Sequence, residues 1–460
     1  MPPGTWQSEG DILLTSFALV SELLRSKKLS PVELTQACLA QIEKLNPELN
    51  AFITVTADTA LAQARAAEAE IQRGDWRGPL HGIPLALKDL IDVAGVPTTA
   101  ASAVFEHRIA QEDAEVVRRL KAAGALIIGK NNMHECAYGG SGVISHYGPA
   151  QNPRYEGRTT AGSSSGSAAA VAAGLCYGAI VTDTAGSIRL PAAYCGLVGF
   201  KPTYGMVSAR GVMPLSWSLD HVGPMARSVT DLAMILAAIA GYDAADPTSR
   251  EIPLADYAAA VREPAPKLRV GVPRQFFYEN LDGEVARVVE DALRVVSKLA
   301  AEVHDVTVPI DDDRTVAMAE IYAYHQPHVS EHAGKYDPET LRRINNGAGV
   351  SVRDYIAKLQ EMELERRNAA ATFKDVDVLV TPTSPVLPPL IAELQADIPR
   401  LRGREVLMLR NTRPFNVLGL PAISVPCGET ADGLPVGLQI AGPAGGEARV
   451  LALAKAFEER

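Results

Sequence analysis

The sequence predicts an α/β fold in which a β-sheet packs between α-helices. Short apolar runs bounded by Gly or Pro recur along the chain and are typical of buried strands. Segments with the apolar spacing of a helix lie between them, at residues 112–123 and 167–175 for example. Strands that alternate with helices along a chain indicate an α/β sandwich. No fixed-period repeat or low-complexity linker divides the 460 residues, so we expect one domain spanning residues 1–460.

The first segment, residues 1–75, is predicted to form an N-terminal helical layer. Ser30-Pro31-Val32-Glu33 has the pattern of a capping box with Pro at the first helical position. The apolar residues that follow, from Leu34 to Leu45, recur at helical spacing. This pattern indicates an amphipathic helix that packs on a larger body.

Residues 76–310 are predicted to form the core that contains the catalytic motifs. Its strand candidates are residues 82–87, 125–129, 178–181 and 268–272. Residues 311–410 are more polar and helical, which favours a helical cap, although they include one strand candidate at 376–380. Strand candidates at 422–425 and 436–440 indicate that residues 411–460 return to the core.

Charge and composition exclude several classes of protein. The chain has 54 acidic and 44 basic residues, a net charge of −10 and no long Lys/Arg run, so we expect no nucleic-acid partner. The N-terminus lacks the features of a secretory signal, which predicts a cytoplasmic protein. The longest uncharged stretch is too short in its apolar part to cross a membrane, so no membrane association is expected. The five cysteines form no C-x-x-C pair and are predicted to be reduced, packed thiols.

Three polar segments interrupt this apolar background. They are the Ser/Gly-rich run at 162–167, the motif at 183–191, and the strand candidate that ends in Lys88-Asp89. Each alone is compatible with a turn or a solvated strand end. Together they match serine nucleophilic catalysis with a lysine base, because an apolar flank can lower the pKa of a lysine toward neutrality. A second serine would relay the proton, and Gly-rich backbone would offer N–H groups to the oxyanion.

These motifs resemble the amidase signature family of serine amidohydrolases, whose hallmark is a Gly/Ser-rich stretch that ends in G-G-S-I-R-x-P. The resemblance also covers segments 129–135, 199–205, 218–224 and 416–421. It implies a Ser–cis-Ser–Lys triad with Lys88 as base, Ser163 as relay and Ser187 as nucleophile. The family's separation of 24 positions between relay and nucleophile selects Ser163 among three adjacent serines.

The same resemblance implies the fold and the rest of the site. It implies an amidase signature fold with a large, mixed, twisted β-sheet sandwiched between α-helices. It assigns an oxyanion hole to the N–H groups of Thr184, Ala185, Gly186 and Ser187. It places Ala137, Tyr138, Gly139 and Gly140 beside the acyl pocket and gives supporting roles to Ser164 and Arg189, the latter holding the loop through acidic or carbonyl partners.

The sequence departs from the family pattern at two positions. Ser165 stands where a glycine usually follows the relay serine pair, and Ala185 replaces the first glycine of the nucleophile motif. A positive φ at Ala185 would be costly for a residue with a Cβ. We therefore expect a negative φ at Ala185, with Gly186 adopting any unusual conformation. The methyl group of Ala185 is also expected to narrow the acyl pocket.

The implied function is hydrolysis of a small carboxylic amide through an acyl-enzyme on Ser187. The products are an acid and an amine or ammonia, with no cofactor and no metal. The expected partner is a small-molecule amide, and a homodimer is expected by analogy alone. An alternative is the glutaminase (A) subunit of a tRNA-dependent amidotransferase. A second alternative is an esterase or a urea or carbamate hydrolase that uses the same triad.

The glutaminase alternative is weakened by one residue. Relatives that use glutamine carry an aspartate seven positions before the Asn of N-x-x-G-L-P, where this chain has Leu409. Without an acidic group, the ammonium of glutamine has no charged partner at this position, and weaker binding of glutamine is expected. Arg342 and Arg343 could meet a carboxylate, although solvated arginines on a helix are the more common case.

Parts of the sequence also fit two unrelated kinds of site. Gly162-Ser163-Ser164-Ser165-Gly166 fits the G-x-S-x-G elbow of α/β-hydrolases, with Ser164 as nucleophile, but that leaves Lys88 and Ser187 unexplained. The histidines of the segment 325–332 share one helical face by spacing, as metal ligands can: His325, His328 and His332. Pro327 is expected to interrupt that helix, and surface or capping histidines are the favoured interpretation.

Overall fold

The computed structural model describes residues 12–460. The prediction that the N-terminus has no secretory signal rests on residues 1–11 and lies outside this range. Within it, one sheet contains eleven strands in the order β1-β3-β2-β4-β6-β5-β10-β11-β9-β7-β8. These strands are β1 (Phe52–Val55), β2 (Pro84–Lys88), β3 (Leu126–Asn131), β4 (Gly178–Asp183), β5 (Val198–Lys201), β6 (His221–Ala226), β7 (Arg269–Val272), β8 (Glu302–Asp305), β9 (Val378–Pro382), β10 (Ala422–Glu429) and β11 (Pro435–Ala441).

Helices connect and cover these strands. They are α1 (Phe17–Arg25), α2 (Pro31–Leu49), α3 (Ala57–Arg73), α4 (Glu115–Ala122), α5 (Ser165–Ala172), α6 (Arg189–Tyr194), α7 (Val229–Ile239), α8 (Tyr257–Ala260), α9 (Arg274–Phe277), α10 (Gly283–Leu299), α11 (Thr315–His332), α12 (Pro338–Asn345), α13 (Val352–Asn368), α14 (Ile391–Ala396), α15 (Ile398–Met408), α16 (Pro414–Val417) and α17 (Glu447–Glu458). Short 3₁₀ turns lie at Ala103–Phe105, Glu135–Ala137, Ala333–Lys335, Asn346–Gly349 and Ala369–Phe373.

The sheet is mixed, and this confirms the predicted fold class. β2 is parallel to both β3 and β4, and β7 is parallel to both β8 and β9. The remaining pairs are antiparallel. Every residue of the strands β2, β3 and β4 is buried, as expected for parallel strands that are covered by helices on both faces.

The N-terminal helices form as their sequence predicts. Ser30 caps α2, because its hydroxyl accepts hydrogen bonds from the N–H groups of Val32 and Glu33 while the Glu33 side chain bonds back to Ser30. The segment also contributes β1, which pairs with β3 at one end of the sheet. The sequence pattern indicated only helices in this segment and did not predict this strand.

The segment 311–410 contains the helices α11 to α15 and also β9. The prediction that Pro327 interrupts its first helix is wrong. α11 runs for 18 residues and contains Pro327 in its interior. Proline removes one N–H donor from a helix, and the neighbouring turns and packing of α11 outweigh that loss. In residues 12–460, no helix is long and apolar enough to cross a membrane.

Candidate active site

Lys88 is the last residue of β2 and lies at the carboxyl edge of the parallel strands. It is fully buried, and the preceding Leu85-Ala86-Leu87 supplies the apolar flank. Its Nζ donates hydrogen bonds to Ser163 Oγ at 2.7 Å and to Thr182 Oγ1 at 2.9 Å. Burial lowers the pKa of Lys88 to about 7, against the opposing effect of nearby carboxylates. An amine with this pKa is neutral in a large fraction of molecules near pH 7 and can accept a proton.

Ser163 lies in the loop that leads into α5, after a cis peptide bond between Gly162 and Ser163. The backbone N–H of His134 donates to the Ser163 carbonyl at 2.9 Å and fixes the loop against the strand edge. The neighbouring Ser164 is buried, and its hydroxyl bonds to the Thr182 carbonyl at 3.5 Å. A nucleophile elbow needs an exposed hydroxyl, so this environment does not suit Ser164 as a nucleophile.

Ser187 lies in the loop between β4 and α6. Its side chain is largely buried, with 6% exposure. Within residues 12–460, no hydrogen bond joins Ser163 to Ser187, and the N–H groups of residues 184 to 187 donate none to another group of the chain. Such N–H groups can accept an oxyanion as their partner.

Arg189 and Asp183 hold the loop between β4 and α6 in place. The guanidinium of the fully buried Arg189 makes a bidentate pair with Asp183, at 3.0 and 2.9 Å, and also donates to Asn416 Oδ1 at 2.6 Å. Burial acts to raise the pKa of Asp183, but Arg189 outweighs it and holds that pKa well below its usual range. Asp183 also accepts the N–H of Ile188 at 3.1 Å. Arg189 thus contacts acidic and carbonyl partners that hold the loop.

The two positions that depart from the family pattern, Ala185 and Ser165, have different surroundings. Gly186 has a φ of 139°, whereas Ala185 is not among the described residues with positive φ, as expected. Thr412 Oγ1 donates to the Ala185 carbonyl at 2.6 Å and holds this peptide in place. The Ser165 hydroxyl is buried and has no hydrogen-bond partner within residues 12–460.

The segment from Ala137 to Gly140 packs against the end of α15. A methyl group on Gly140 would lie 2.8 Å from Leu409 Cδ1, and one on Gly186 would lie 2.8 Å from Leu409 Cδ2. Leu409 therefore sits between the predicted pocket wall and the nucleophile loop. Ala185 packs into the same apolar cluster as Leu409. This side of the site is apolar.

A buried charged cluster lies directly behind that wall. Arg343 is 1% exposed and pairs with Glu339 and Glu405, each at 2.7 Å, so the expectation of a solvated arginine is wrong for this residue. Its guanidinium also donates to the Tyr138 carbonyl at 2.7 Å. Glu339 is on the same helix, but Glu405 comes from α15, and a contact between residues so far apart in sequence has no local signal. Arg342 remains half-exposed and pairs with Glu339.

Two residues beside Lys88 were not singled out from the sequence. Thr182 is the second hydrogen-bond partner of Lys88, and its position in a buried strand next to the nucleophile motif could have identified it. Asp220 accepts a hydrogen bond from Thr184 Oγ1 at 2.5 Å. Burial raises the pKa of the Asp220 carboxyl to about 7.

The histidine segment does not form a metal site. His325 is buried and its Nδ1 lies 3.0 Å from the Tyr336 hydroxyl, so the expectation of a surface position is wrong for it. Aromatic packing against Phe105 and Tyr336 accounts for its burial. In the part of the chain that the structure describes, no group of three or more His, Cys, Asp or Glu side chains could hold a metal ion.

Curated relatives match almost the whole chain. The A subunit of glutamyl-tRNA(Gln) amidotransferase from Moorella thermoacetica is 39% identical and aligns with 96% of this chain and 95% of its own. The protein of the same name from Anaeromyxobacter sp. (strain K) is 40% identical, with 94% and 93% covered.

These relatives overturn the prediction about partners. The expected partners were a small-molecule amide, no nucleic acid, no membrane and a homodimer by analogy. The expectation of a small-molecule amide without nucleic acid is wrong, because the relatives are subunits of a tRNA-dependent enzyme. The reason is physical. The net charge of this chain argues only against direct binding of nucleic-acid phosphates by the chain itself. One subunit of an assembly that acts on tRNA need not bind those phosphates.

Solved structures and a family comparison agree with these relatives. The peptide amidase from Stenotrophomonas maltophilia superimposes with a TM-score of 0.83 at 34% identity, over 97% of this chain and 96% of its own. A 6-aminohexanoate cyclic dimer hydrolase gives a TM-score of 0.87 at 30% identity, over 97% of both chains. The sequence model of the family described as Amidase matches residues 33–451. The chain is therefore an enzyme of the amidase signature family, whose members act on C–N bonds.

Proposed function

We propose that the protein cleaves a carboxylic amide through an acyl-enzyme on Ser187. The observation that carries this proposal is the buried contact of 2.7 Å between Lys88 Nζ and Ser163 Oγ, beside the loop that holds Ser187. Lys88 has hydroxyl partners and a pKa lowered to about 7 by burial. These properties suit a base that takes a proton from a serine.

The reaction proceeds in two halves. Neutral Lys88 accepts the proton of Ser163 while Ser163 takes the proton of Ser187, whose Oγ bonds to the amide carbonyl carbon. The oxyanion forms where the N–H groups of Thr184 to Ser187 are without partners in the described chain. The C–N bond then breaks, and the leaving nitrogen receives a proton through Ser163. Water attacks the acyl-enzyme by the same route and releases the acid.

We infer that this chemistry serves as the ammonia-releasing activity of the A subunit in a tRNA-dependent amidotransferase. The identity of 39% over 96% of the chain to the A subunit of a glutamyl-tRNA(Gln) amidotransferase supports this role. In this role glutamine is the amide, and Ser187 carries its glutamyl group. The ammonia passes to a second reaction on another subunit.

A free-standing amidase with an uncharged acyl group is the second candidate, and Leu409 favours it. Free glutamine carries an ammonium and a carboxylate, which are costly to bury without charged partners. The apolar Leu409 lies between Gly140 and Gly186, where it offers no partner to the ammonium. Arg343 already pairs with Glu339 and Glu405, so its charge is offset before a carboxylate arrives.

A substrate panel separates the two candidates. Purified protein is assayed with glutamine, benzamide, a short fatty amide and an anilide, with and without the other subunits and tRNA of a glutamyl-tRNA(Gln) amidotransferase. Turnover of glutamine that rises with these additions supports the amidotransferase role. Turnover of the uncharged amides alone supports the free-standing amidase. Activity that survives in Ser187→Ala would overturn both.

The variant Leu409→Asp sharpens this test. A carboxylate at this position supplies the missing partner for an ammonium group, so we expect the KM for glutamine to fall in the variant. Leu409→Asn has the same shape without the charge and serves as the matched control. A KM that is equal in the two variants would show that position 409 does not meet the ammonium.

A further inference from the structure

Asp220 is placed beside the nucleophile loop by strand pairing. It directly precedes β6, and β6 is antiparallel to β4 with His221 opposite Asp183. This register brings Asp220 next to Thr184, the first residue of the loop that leaves β4. The hydroxyl of Thr184 donates to Asp220 Oδ1 at 2.5 Å.

Uncharged donors hold both oxygens of the Asp220 carboxylate. Oδ2 accepts the N–H groups of Leu215 at 2.8 Å and Ser216 at 3.0 Å. None of the ion pairs formed by residues 12–460 includes Asp220, although the buried Asp183 nearby faces an arginine. Of the carboxylates that act on Lys88, Asp220 acts most strongly to raise its pKa, ahead of Asp183.

A cleft connects this carboxylate with the surroundings of Lys88. The cleft has a volume of about 210 Å³, and both Asp220 and Thr182 line it, together with the half-exposed Trp217. Thr182 is a hydrogen-bond partner of Lys88. A carboxyl group that is partly exposed to such a cleft can exchange its proton with solvent.

The charges of the two groups are coupled. Burial brings the pKa of Lys88 down to about 7 and that of Asp220 up to about 7, so both change charge over the same pH range. The anion of Asp220 favours the ammonium form of Lys88. The other titratable or charged groups around this pair are Asp183 with its partner Arg189 and His134 on the side of Lys88, Glu320 and Tyr204 on the side of Asp220, and Arg210 and Asp246 in the cleft.

We propose that Asp220 is a positioning residue that sets the pH at which Lys88 becomes the neutral base and that fixes Thr184 of the oxyanion loop. This inference rests on the proposed Ser–Ser–Lys amidase. Asp220 acts through two contacts: its charge acts on Lys88, and its hydrogen bond acts on Thr184. The two effects can be removed separately by substitution.

The test measures the reactivity of Ser187 without requiring the natural substrate. An arylsulfonyl fluoride is attacked by Ser187 Oγ, an O–S bond forms, fluoride leaves, and the serine proton passes through Ser163 to Lys88. The rate of adduct formation is followed by intact mass between about pH 5 and 10. In the wild type the rate should rise through a midpoint near pH 7, as Lys88 loses its proton.

Asp220→Asn removes the charge and keeps an amide that can hydrogen-bond with the Thr184 hydroxyl, which can donate or accept. We expect its midpoint to move to lower pH by about one unit, the usual size of a close charge effect, so that the rate at about pH 6 rises several-fold. Asp220→Glu, which restores the charge, should return the midpoint to the wild-type value. Thr184→Val removes a hydrogen bond that favours the Asp220 anion, so its plateau rate should fall and its midpoint should move to lower pH by less than in Asp220→Asn. Asp246→Asn is the matched control, since Asp246 lines the same cleft, and it should change neither quantity.

The outcomes separate this inference from the proposed function. A midpoint in Asp220→Asn that equals the wild-type value, or that moves upward, overturns the role of Asp220. If Asp220→Asn does not fold, a midpoint that moves upward in Thr184→Val overturns it instead. Adduct formation at the wild-type rate in Ser187→Ala or Lys88→Met overturns the amidase mechanism itself.

Discussion

Lys88 and Lys130 lie at the carboxyl ends of two neighbouring strands, β2 and β3. Both side chains are fully buried, yet they have different partners. β2 and β3 are parallel, with Leu87 opposite Lys130. Lys88 donates to two hydroxyls, whereas Lys130 Nζ lies 3.1 Å from Asp89 and also donates to Thr98 Oγ1 at 3.0 Å. Burial lowers the pKa of both lysines, and the adjacent Asp89 opposes this effect at Lys130. Burial acts on both lysines alike, and what differs is the partner, because a contacting carboxylate favours the ammonium form of Lys130 and hydroxyls surround Lys88.

Matched substitutions at these two lysines give the largest expected effect on activity. Lys88→Met keeps the length of the side chain and removes the base. We expect the rate of amide hydrolysis to fall by about a thousandfold or more, as when a member of a serine triad is removed. The free energy of unfolding should stay the same or rise, since no carboxylate loses a contacting partner. Hydrolysis kinetics and urea unfolding measure the two quantities.

Lys130→Met should have the reverse effect. It leaves Asp89 buried without its cation, which costs about 3–5 kcal/mol of stability in comparable pairs. Activity per folded molecule should change little, because Lys130 contacts neither Ser163 nor Ser187. Urea unfolding checks the first statement, and active-site titration the second.

The control for this pair is the double variant Lys130→Met with Asp89→Leu, which removes both charges. It should recover part of the lost stability, since a buried pair replaced by apolar groups is often neutral. A thousandfold loss of activity in folded Lys130→Met would contradict the contrast between the two lysines.

The sequence predicted the parts of this site that lie in continuous motifs. Lys88, Ser163 and Ser187 each stand in a short segment of unusual composition next to a strand, and the structure brings Lys88 and Ser163 together. The strands β2, β3 and β4 were also predictable, because strands buried on both faces are continuous apolar runs. The equally buried β5 and β6 were not predicted, since glycine, proline or charged residues interrupt their apolar residues. The edge strand β8 was missed since all four of its residues are exposed.

What the sequence did not indicate depends on contacts between distant segments. Asp220 lies next to Thr184 because of the register of β6 against β4, and no local sequence pattern indicates this register. Arg343 was expected to be solvated because it follows another arginine on a polar helix, and only the approach of α15 with Glu405 buries it. Short polar side chains at strand ends have the same sequence pattern whether they face solvent or a neighbouring strand.

The pH dependence of the wild type tests whether the coupled pair of Lys88 and Asp220, rather than an ordinary carboxylate, controls activity. Lys88 must be neutral to act, so activity should be full above its pKa of about 7 and should fall tenfold for each pH unit below it. Between about pH 8 and pH 5 the expected loss of kcat/KM is about a hundredfold. An acid limb centred below about pH 5 would identify a carboxylate instead and would remove the distinction from Lys130.

The smallest effect is expected for Thr182→Val, which removes one of the two hydroxyl partners of Lys88 and keeps the volume of the side chain. A hydrogen bond of this kind contributes about 1 kcal/mol, so the plateau rate should fall by up to about tenfold as the lysine is held less firmly. The hydroxyl also favours the charged lysine, so its loss should move the acid limb to lower pH. Thr98→Val makes the same change beside Lys130 and should leave the pH profile unchanged. An acid limb that stays in place in Thr182→Val would mean that the hydroxyl partners do not act on the protonation of Lys88, and that the difference between the two lysines has another origin.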